Sequence, residues 1–217
     1  MKTVKSKVEI LTDISEGGAK ELKLIEAAGR TAYKSEDKMS DDISSAKKFV
    51  HMIINLGHES VLEHSLLTVR FTCDRGVSHE IVRHRMAAYT QESTRYCNYA
   101  SGKFGREITF VEPSTLKKDS LAYFEWYQAC DEAEKNYIAC SQLGMKPEQA
   151  RVVLPMSVKT EVIMSANYRE WRHFLELRCA KAAHPDIRKL ALELLCELQL
   201  RIPVVFDDIY EKYKEEM

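Results

Sequence analysis

Hydrophobic and polar residues alternate strictly through "SLLTVRFTC" (65–73): Leu67, Val69, Phe71 and Cys73 share one face, while Thr68, Arg70 and Thr72 share the other. A period of two predicts a half-buried strand. "SVKTEVIMSAN" (157–167) repeats the pattern, with Val158, Thr160, Val162, Met164 and Ala166 on one side. "VEILTDI" (8–14) opens with a third strand-like run.

Elsewhere the apolar spacing lengthens to three and four, which predicts helices. Leu22, Ile25, Gly29 and Ala32 mark one over 16–33, and Ile43, Ala46, Val50, Ile53 and Ile54 another over about 41–56. Ser40 can cap the start of the second, and Gly57 can end it. A long helix is predicted at about 118–143, lined by Trp126, Cys130, Ala133, Tyr137 and Cys140 and stopped by Gly144. "KPEQAR" starts a short helical turn with Pro147 in the first turn. Two more helices follow at about 168–178 and 185–201, the second with one buried side. The tail "DDIYEKYKEEM" reads as a last, charged helix that frays, and 75–85 as a short helix. "YTQESTRY" reads as a loop entering an extended segment.

Long helices with separated strands predict an α+β fold. The expectation is a single domain over 1–217, with a small, mostly antiparallel sheet packed against long helices. No Gly-rich strand-to-helix turn appears, so the dinucleotide loop of the Rossmann type and the Walker phosphate loop are both missing.

Composition narrows the function classes. Lys and Arg total 32 against 33 Asp and Glu, so no global attraction to polyanions exists and an anion site must be local. The six cysteines are dispersed, and no pair has the two-residue spacing of a zinc knuckle or redox pair. No window approaches a membrane span, and "MKTVKSKVEILTDISEGG" lacks the apolar core of a signal peptide. The expectation is a cytoplasmic protein with free thiols and no membrane partner.

Two stretches carry candidate chemistry. "GHESVLEH" (57–64) approaches a zincin helix, but Leu62 stands where the second histidine belongs, and His58 and His64 are too far apart for one helical face. No metal is expected there. "EIVRHRMAAYTQESTRY" (80–96) gathers Arg83, His84, Arg85 and Arg95. On a helix the first three would fan out about 100° apart and meet separate acceptors, and guanidinium forks suit phosphate oxygens. Ser93 and Arg95 would share one side of an extended strip, a plausible monophosphate cradle. Ser93 as a nucleophile lacks an activating histidine.

Arg83-His84-Arg85, seven residues and then Ser93, followed by Arg95-Tyr96, resembles the defining motif of flavin-dependent thymidylate synthases. "GHESVLEH" is similar to the family's Gly-His-Glu element. "ARVVLP" (150–155), a strand ending in Asn167, and "FLELR" (174–178) follow in the family's order, so the resemblance covers about residues 20–200. This chain departs from many relatives inside the motif at Ala88, Thr90 and Gln91.

The resemblance implies a homotetramer with active sites shared between subunits. It implies FAD as cofactor, NADPH as reductant and 5,10-methylenetetrahydrofolate as one-carbon donor, converting dUMP to dTMP. Cofactor contacts carried over by motif are His58, Ser60, Arg83, His84, Arg85, Asn167, Arg169 and His173, with His58 also a candidate for stacking on the folate. Nucleotide contacts are Glu80, Arg83, Gln91, Glu92, Ser93, Thr94, Arg95, Arg151 and Arg178. Arg178 matches the residue thought to stabilise negative charge on the uracil as N3 ionises, a role suited to a group that stays protonated. The resemblance also implies flavin hydride transfer with no enzyme cysteine as nucleophile, leaving Cys97 dispensable.

Two other readings compete. The arginines of 83–95 could serve a non-catalytic nucleotide- or RNA-binding protein, although the near-zero net charge argues against nucleic acid. They could instead tie the subunits of a purely structural oligomer together.

Overall fold

The computed structural model describes residues 1–102 and 105–217. The fold is α+β. Its strands are β1 (Lys2–Val4), β2 (Lys7–Ile10), β3 (Leu66–Asp74), β4 (Ala87–Gln91), β5 (Thr109–Val111) and β6 (Lys159–Asn167). Its helices are α1 (Ala19–Tyr33), α2 (Ile43–Asn55), α3 (Arg75–Ile81), α4 (Leu121–Gln142), α5 (Pro147–Ala150), α6 (Tyr168–Arg178), α7 (Pro185–Arg201) and α8 (Asp207–Tyr213).

Four strands form one sheet in the order β2-β3-β6-β4. The hydroxyls of Thr68 and Ser165 lie 2.8 Å apart, and the amide of Arg75 reaches the carbonyl of Met156 at 2.9 Å. Positions therefore rise along β3 as they fall along β6, which makes the pair antiparallel. A separate two-stranded sheet joins β1 to β5 in parallel, Lys2 opposite Thr109 and Val4 opposite Val111. Neither of these two short strands follows from the sequence pattern.

The residues gather into two compact units. The first comprises Met1–Lys7, Phe71–Arg83 and Tyr89–Ile163. In its core α4 sets Cys130 and Tyr137 among Ile108, Phe110, Ala150 and Val158. The hydroxyl of Ser120 caps α4 by accepting from the amide of Tyr123, and Gly144 at φ +94° follows its end. Glu134 is buried in this core, where it accepts from the amide of Ile108 and pairs with the N-terminal ammonium at 2.9 Å.

The second unit comprises Val8–Arg70, His84–Ala88 and Met164–Met217. Leu22 and Ile25 of α1, Val50 and Ile53 of α2, Trp171 and Phe174 of α6, and Leu190, Leu194 and Leu198 of α7 are all buried. Those of α1, α2 and α7 are three- and four-spaced positions of the sequence pattern, and α6 and α7 fall where that pattern put them.

Four local expectations need correction. Asp42, not Ser40, caps α2, its carboxylate accepting from the amide of Ser44. The charged tail is not solvated throughout, because α8 buries Ile209 and Tyr213. Helix α3 stops at Ile81, so Arg83, His84 and Arg85 follow its end and do not fan around it. Order is reversed after them: β4 comes first, and a turn follows in which the carbonyl of Ser93 accepts from the amides of Tyr96 and Cys97. The turn removes the alternation that would put Ser93 and Arg95 on one side.

Candidate functional site

Helix α6 is amphipathic over its whole length. Tyr168, Trp171, Phe174 and Leu175 are buried, while Arg169, His173 and Glu176 recur at three and four along the opposite side. That outer side lines a cleft of about 500 Å³ in the second unit, together with Met86, Glu59, Glu63, Asn167, Glu170 and Arg172. Its volume lies within the range of cofactor pockets. Asn167 also caps α6, its Oδ1 accepting from the amide of Glu170 at 2.9 Å. Half-exposed Arg169 donates to Glu63 at 2.6 Å.

His84 is the buried member of its trio. It is 4% exposed, and its ring centroid lies 4.8 Å from that of Phe174 and 5.8 Å from that of His173. Arg178, at the last turn of α6, donates from Nε to His84 Nε2 at 3.0 Å. On the other side of the ring, Nδ1 lies 3.4 Å from Oε1 of Glu170. Its neighbours Arg83 and Arg85 are exposed cations with no carboxylate partner among the described residues.

His84, Glu170 and His173 bring their potential ligand atoms within 4.8 Å of one another. Such donors can hold a cation, but the guanidinium argues against it. A metal on Nδ1 would force the ring proton onto Nε2, where it would break the bond from Arg178.

His58 and Ser60 are exposed, and the imidazole Nδ1 of His58 lies 3.1 Å from the hydroxyl of Tyr33. Glu59 between them accepts from buried Arg172 at 2.9 Å. Sequence reasoning passed over Arg172 and Glu170. Their spacing on α6 was visible, but their partners lie far away in the chain.

The predicted nucleotide stretch belongs to the first unit. Arg151 donates to the hydroxyl of Thr94 at 3.2 Å. Both line a cleft of about 260 Å³ with Arg75, His79, Met156 and Val158. Arg75 and His79, one turn apart on α3, are cleft residues the sequence reading missed, although their i, i+4 spacing is the available signal. Ser93 Oγ accepts from the amide of Arg95, whose exposed guanidinium reaches Glu148 at 3.0 Å. Gln91 donates to Ser78 at 2.9 Å and to Thr160 at 3.3 Å. Glu92 accepts from Lys159 and from the hydroxyl of Tyr99, both at 2.9 Å. Burial, followed by the charge of Glu92, drives that Tyr99 hydroxyl well above its usual range. Gln91 and Glu92 are thus engaged by protein groups, and Glu80 sits half-buried on α3.

Comparison with known proteins decides the family. The profile of the family described as thymidylate synthase complementing protein matches residues 16–204. The chain belongs to that family. A protein of Pyrococcus furiosus named flavin-dependent thymidylate synthase is 36% identical over 179 residues, 82% of this chain and 72% of the relative. One of the same name from Corynebacterium aurimucosum is 32% identical over 214 residues, 91% of this chain and 84% of the relative. A third, from Geobacter sulfurreducens, is 36% identical over 186 residues, 83% and 78% of the two chains. The resemblance carried by Arg83-His84-Arg85 and Ser93 therefore holds at the level of the thymidylate synthase complementing protein family.

Two buried thiols of this family member, Cys73 and Cys179, are not poised as nucleophiles. Burial pushes Cys73 up to about 12, with the charge of Asp74 adding to it, and burial likewise pushes Cys179 up to about 12. A thiolate nucleophile needs the opposite shift. Among the described residues no helix is long and apolar enough to cross a membrane.

Proposed function

We propose that the chain is a flavin-dependent thymidylate synthase that converts dUMP to dTMP, with 5,10-methylenetetrahydrofolate as one-carbon donor and NADPH as reductant. The observation that carries this reading is the bond between Arg178 and His84, which ties "FLELR" to the Arg-His-Arg motif 94 residues earlier.

The residues fit a flavin nucleotide. Arg83 and Arg85 are exposed guanidiniums without carboxylate partners among the described residues, the donor type that pairs with a pyrophosphate. His173, exposed along the cleft of about 500 Å³, offers a planar ring for stacking. FAD would supply the hydride chemistry that no side chain can. His58, Ser60, Asn167 and Arg169 complete the proposed cofactor contacts.

The protein's own task is binding and charge. Arg151 and Thr94, with Arg75 beside them, would hold the nucleotide phosphate in the cleft of about 260 Å³. Ser93, Arg95 and Arg83 extend the proposed nucleotide contacts. Arg178 would face the pyrimidine and stabilise its ring as N3 loses a proton, without giving up its own. The raised Cys73 and Cys179 thiols support a route that needs no cysteine.

Assembly as a homotetramer belongs to the same reading. Leu121, Phe124 and Tyr127 are 84%, 54% and 38% exposed along one side of α4, an apolar stripe suited to another subunit. The test is direct: purified protein given FAD should turn yellow, bleach under NADPH without oxygen, and form dTMP from dUMP and methylenetetrahydrofolate. Protein that takes up no flavin and forms no dTMP would refute the proposal.

A further inference from the structure

We infer that His84 is a positioning residue for Arg178, the two joined by one hydrogen bond that also fixes the tautomer of the ring, and that the central histidine of the Arg-His-Arg motif acts by aiming this guanidinium. The inference rests on the reading that places Arg178 at the reacting pyrimidine.

The geometry leaves little choice of protonation. An arginine Nε–H can only donate, so the 3.0 Å contact requires a lone pair on His84 Nε2. A ring that accepts at Nε2 must carry its proton on Nδ1. That nitrogen lies 3.4 Å from Oε1 of Glu170 but outside hydrogen-bond geometry, so the bond from Arg178 is what selects the tautomer. Phe174 flanks the ring at 4.8 Å between centroids and fixes its plane. The imidazole thus orients the guanidinium from outside, as outer-shell partners orient ligating histidines in metal sites. With Nε engaged, the plane of the guanidinium is set, and so is the direction in which Nη1 and Nη2 point. Glu170 and Arg178 lie two turns apart on α6, and His84 comes from a different segment of the chain. The link thus couples the aim of Arg178 to the placement of the Arg-His-Arg segment. A misplacement of about 1 Å at such a group lowers turnover by about 100-fold.

The test has two arms. Solid-state NMR of full-length protein labelled with 15N-histidine, with H84Q used for assignment, should show His84 neutral and protonated on Nδ1. R178M should move that proton to Nε2. A His84 that is protonated on Nε2 or doubly protonated in the unaltered protein overturns the inference. In kinetics, H84L should lower kcat about 10- to 100-fold while KM for dUMP stays within about threefold and flavin content is retained. H84Q, whose amide oxygen can accept where Nε2 does, should recover most of the lost rate. H84L with kcat within twofold of the unaltered protein, or H84Q as impaired as H84L, overturns it as well. Failure of the unaltered protein to make dTMP would instead sink the enzymatic reading and with it the role given to Arg178, while the NMR arm still reports on the His84–Arg178 bond.

Discussion

Arg172 forks onto Asp208, with Nη1 2.7 Å from Oδ1 and Nη2 2.6 Å from Oδ2, while its Nε donates to Glu59 at 2.9 Å. One buried guanidinium thereby ties α6 both to α8 and to the turn ahead of β3. Charge-assisted pairs of this two-pronged kind are among the stronger hydrogen bonds.

D208N should lower unfolding free energy by about 1–3 kcal/mol, less than breaking a fully buried pair because the Asp208 side chain is 48% exposed. Urea unfolding at neutral pH measures it. The pH dependence has a definite sign. Burial raises the Asp208 carboxyl, but the hydrogen bond and charge of Arg172 outweigh it and hold the group below its ordinary 3.8. The stabilisation is present above that value and fades as pH falls through the lower folded one. Thermal melts from pH 6 down to 3 should lose less stability in D208N than in the unaltered protein; equal losses would remove Asp208 from the acid response.

Arg178 is expected to matter for chemistry more than for cofactor retention. R178A should lower turnover by about 100- to 1,000-fold, the scale of losing a charge-stabilising donor. Flavin absorbance of the purified variant should stay unchanged. Turnover equal to that of the unaltered protein would take Arg178 out of the mechanism.

Arg151 should act on nucleotide affinity. R151A removes a charged donor from the smaller cleft, and dUMP binding to flavin-loaded protein should weaken about 10- to 100-fold. Calorimetric titration reads this directly. An unchanged dissociation constant would move the phosphate elsewhere.

Cys97, half-buried just past the motif, should be dispensable. C97S is expected to keep turnover within about twofold. Abolished turnover with FAD and nucleotide still bound would restore a cysteine nucleophile and remove the flavin hydride route.

The elements that were legible in the sequence are those whose neighbours did not matter. Leu67, Val69, Phe71 and Cys73 alternate and are all fully buried. The same holds for Val162 and Met164 of β6 and for the 3–4 spacing of α7. Elements defined by contact with remote residues were harder to read. β1 has three residues and exists because β5 lies beside it. Helix α8 looks charged and solvated, yet Asp208 is held by Arg172 and Ile209 is buried. Asp42 captured the cap of α2 from Ser40, a choice between two good acceptors that only the backbone path makes.

The amino-acid order by itself determined the periodic strands and helices, the family, and which residues belong to the Arg-His-Arg motif, because each is encoded in local spacing. Only the tertiary structure decided that Arg83 and Arg85 are exposed while His84 is buried between Glu170 and Arg178. Three adjacent polar residues look alike along a chain. Their burial depends on what α6 brings to them from more than eighty positions away, and hydrogen-bond partners at that distance leave no periodic trace.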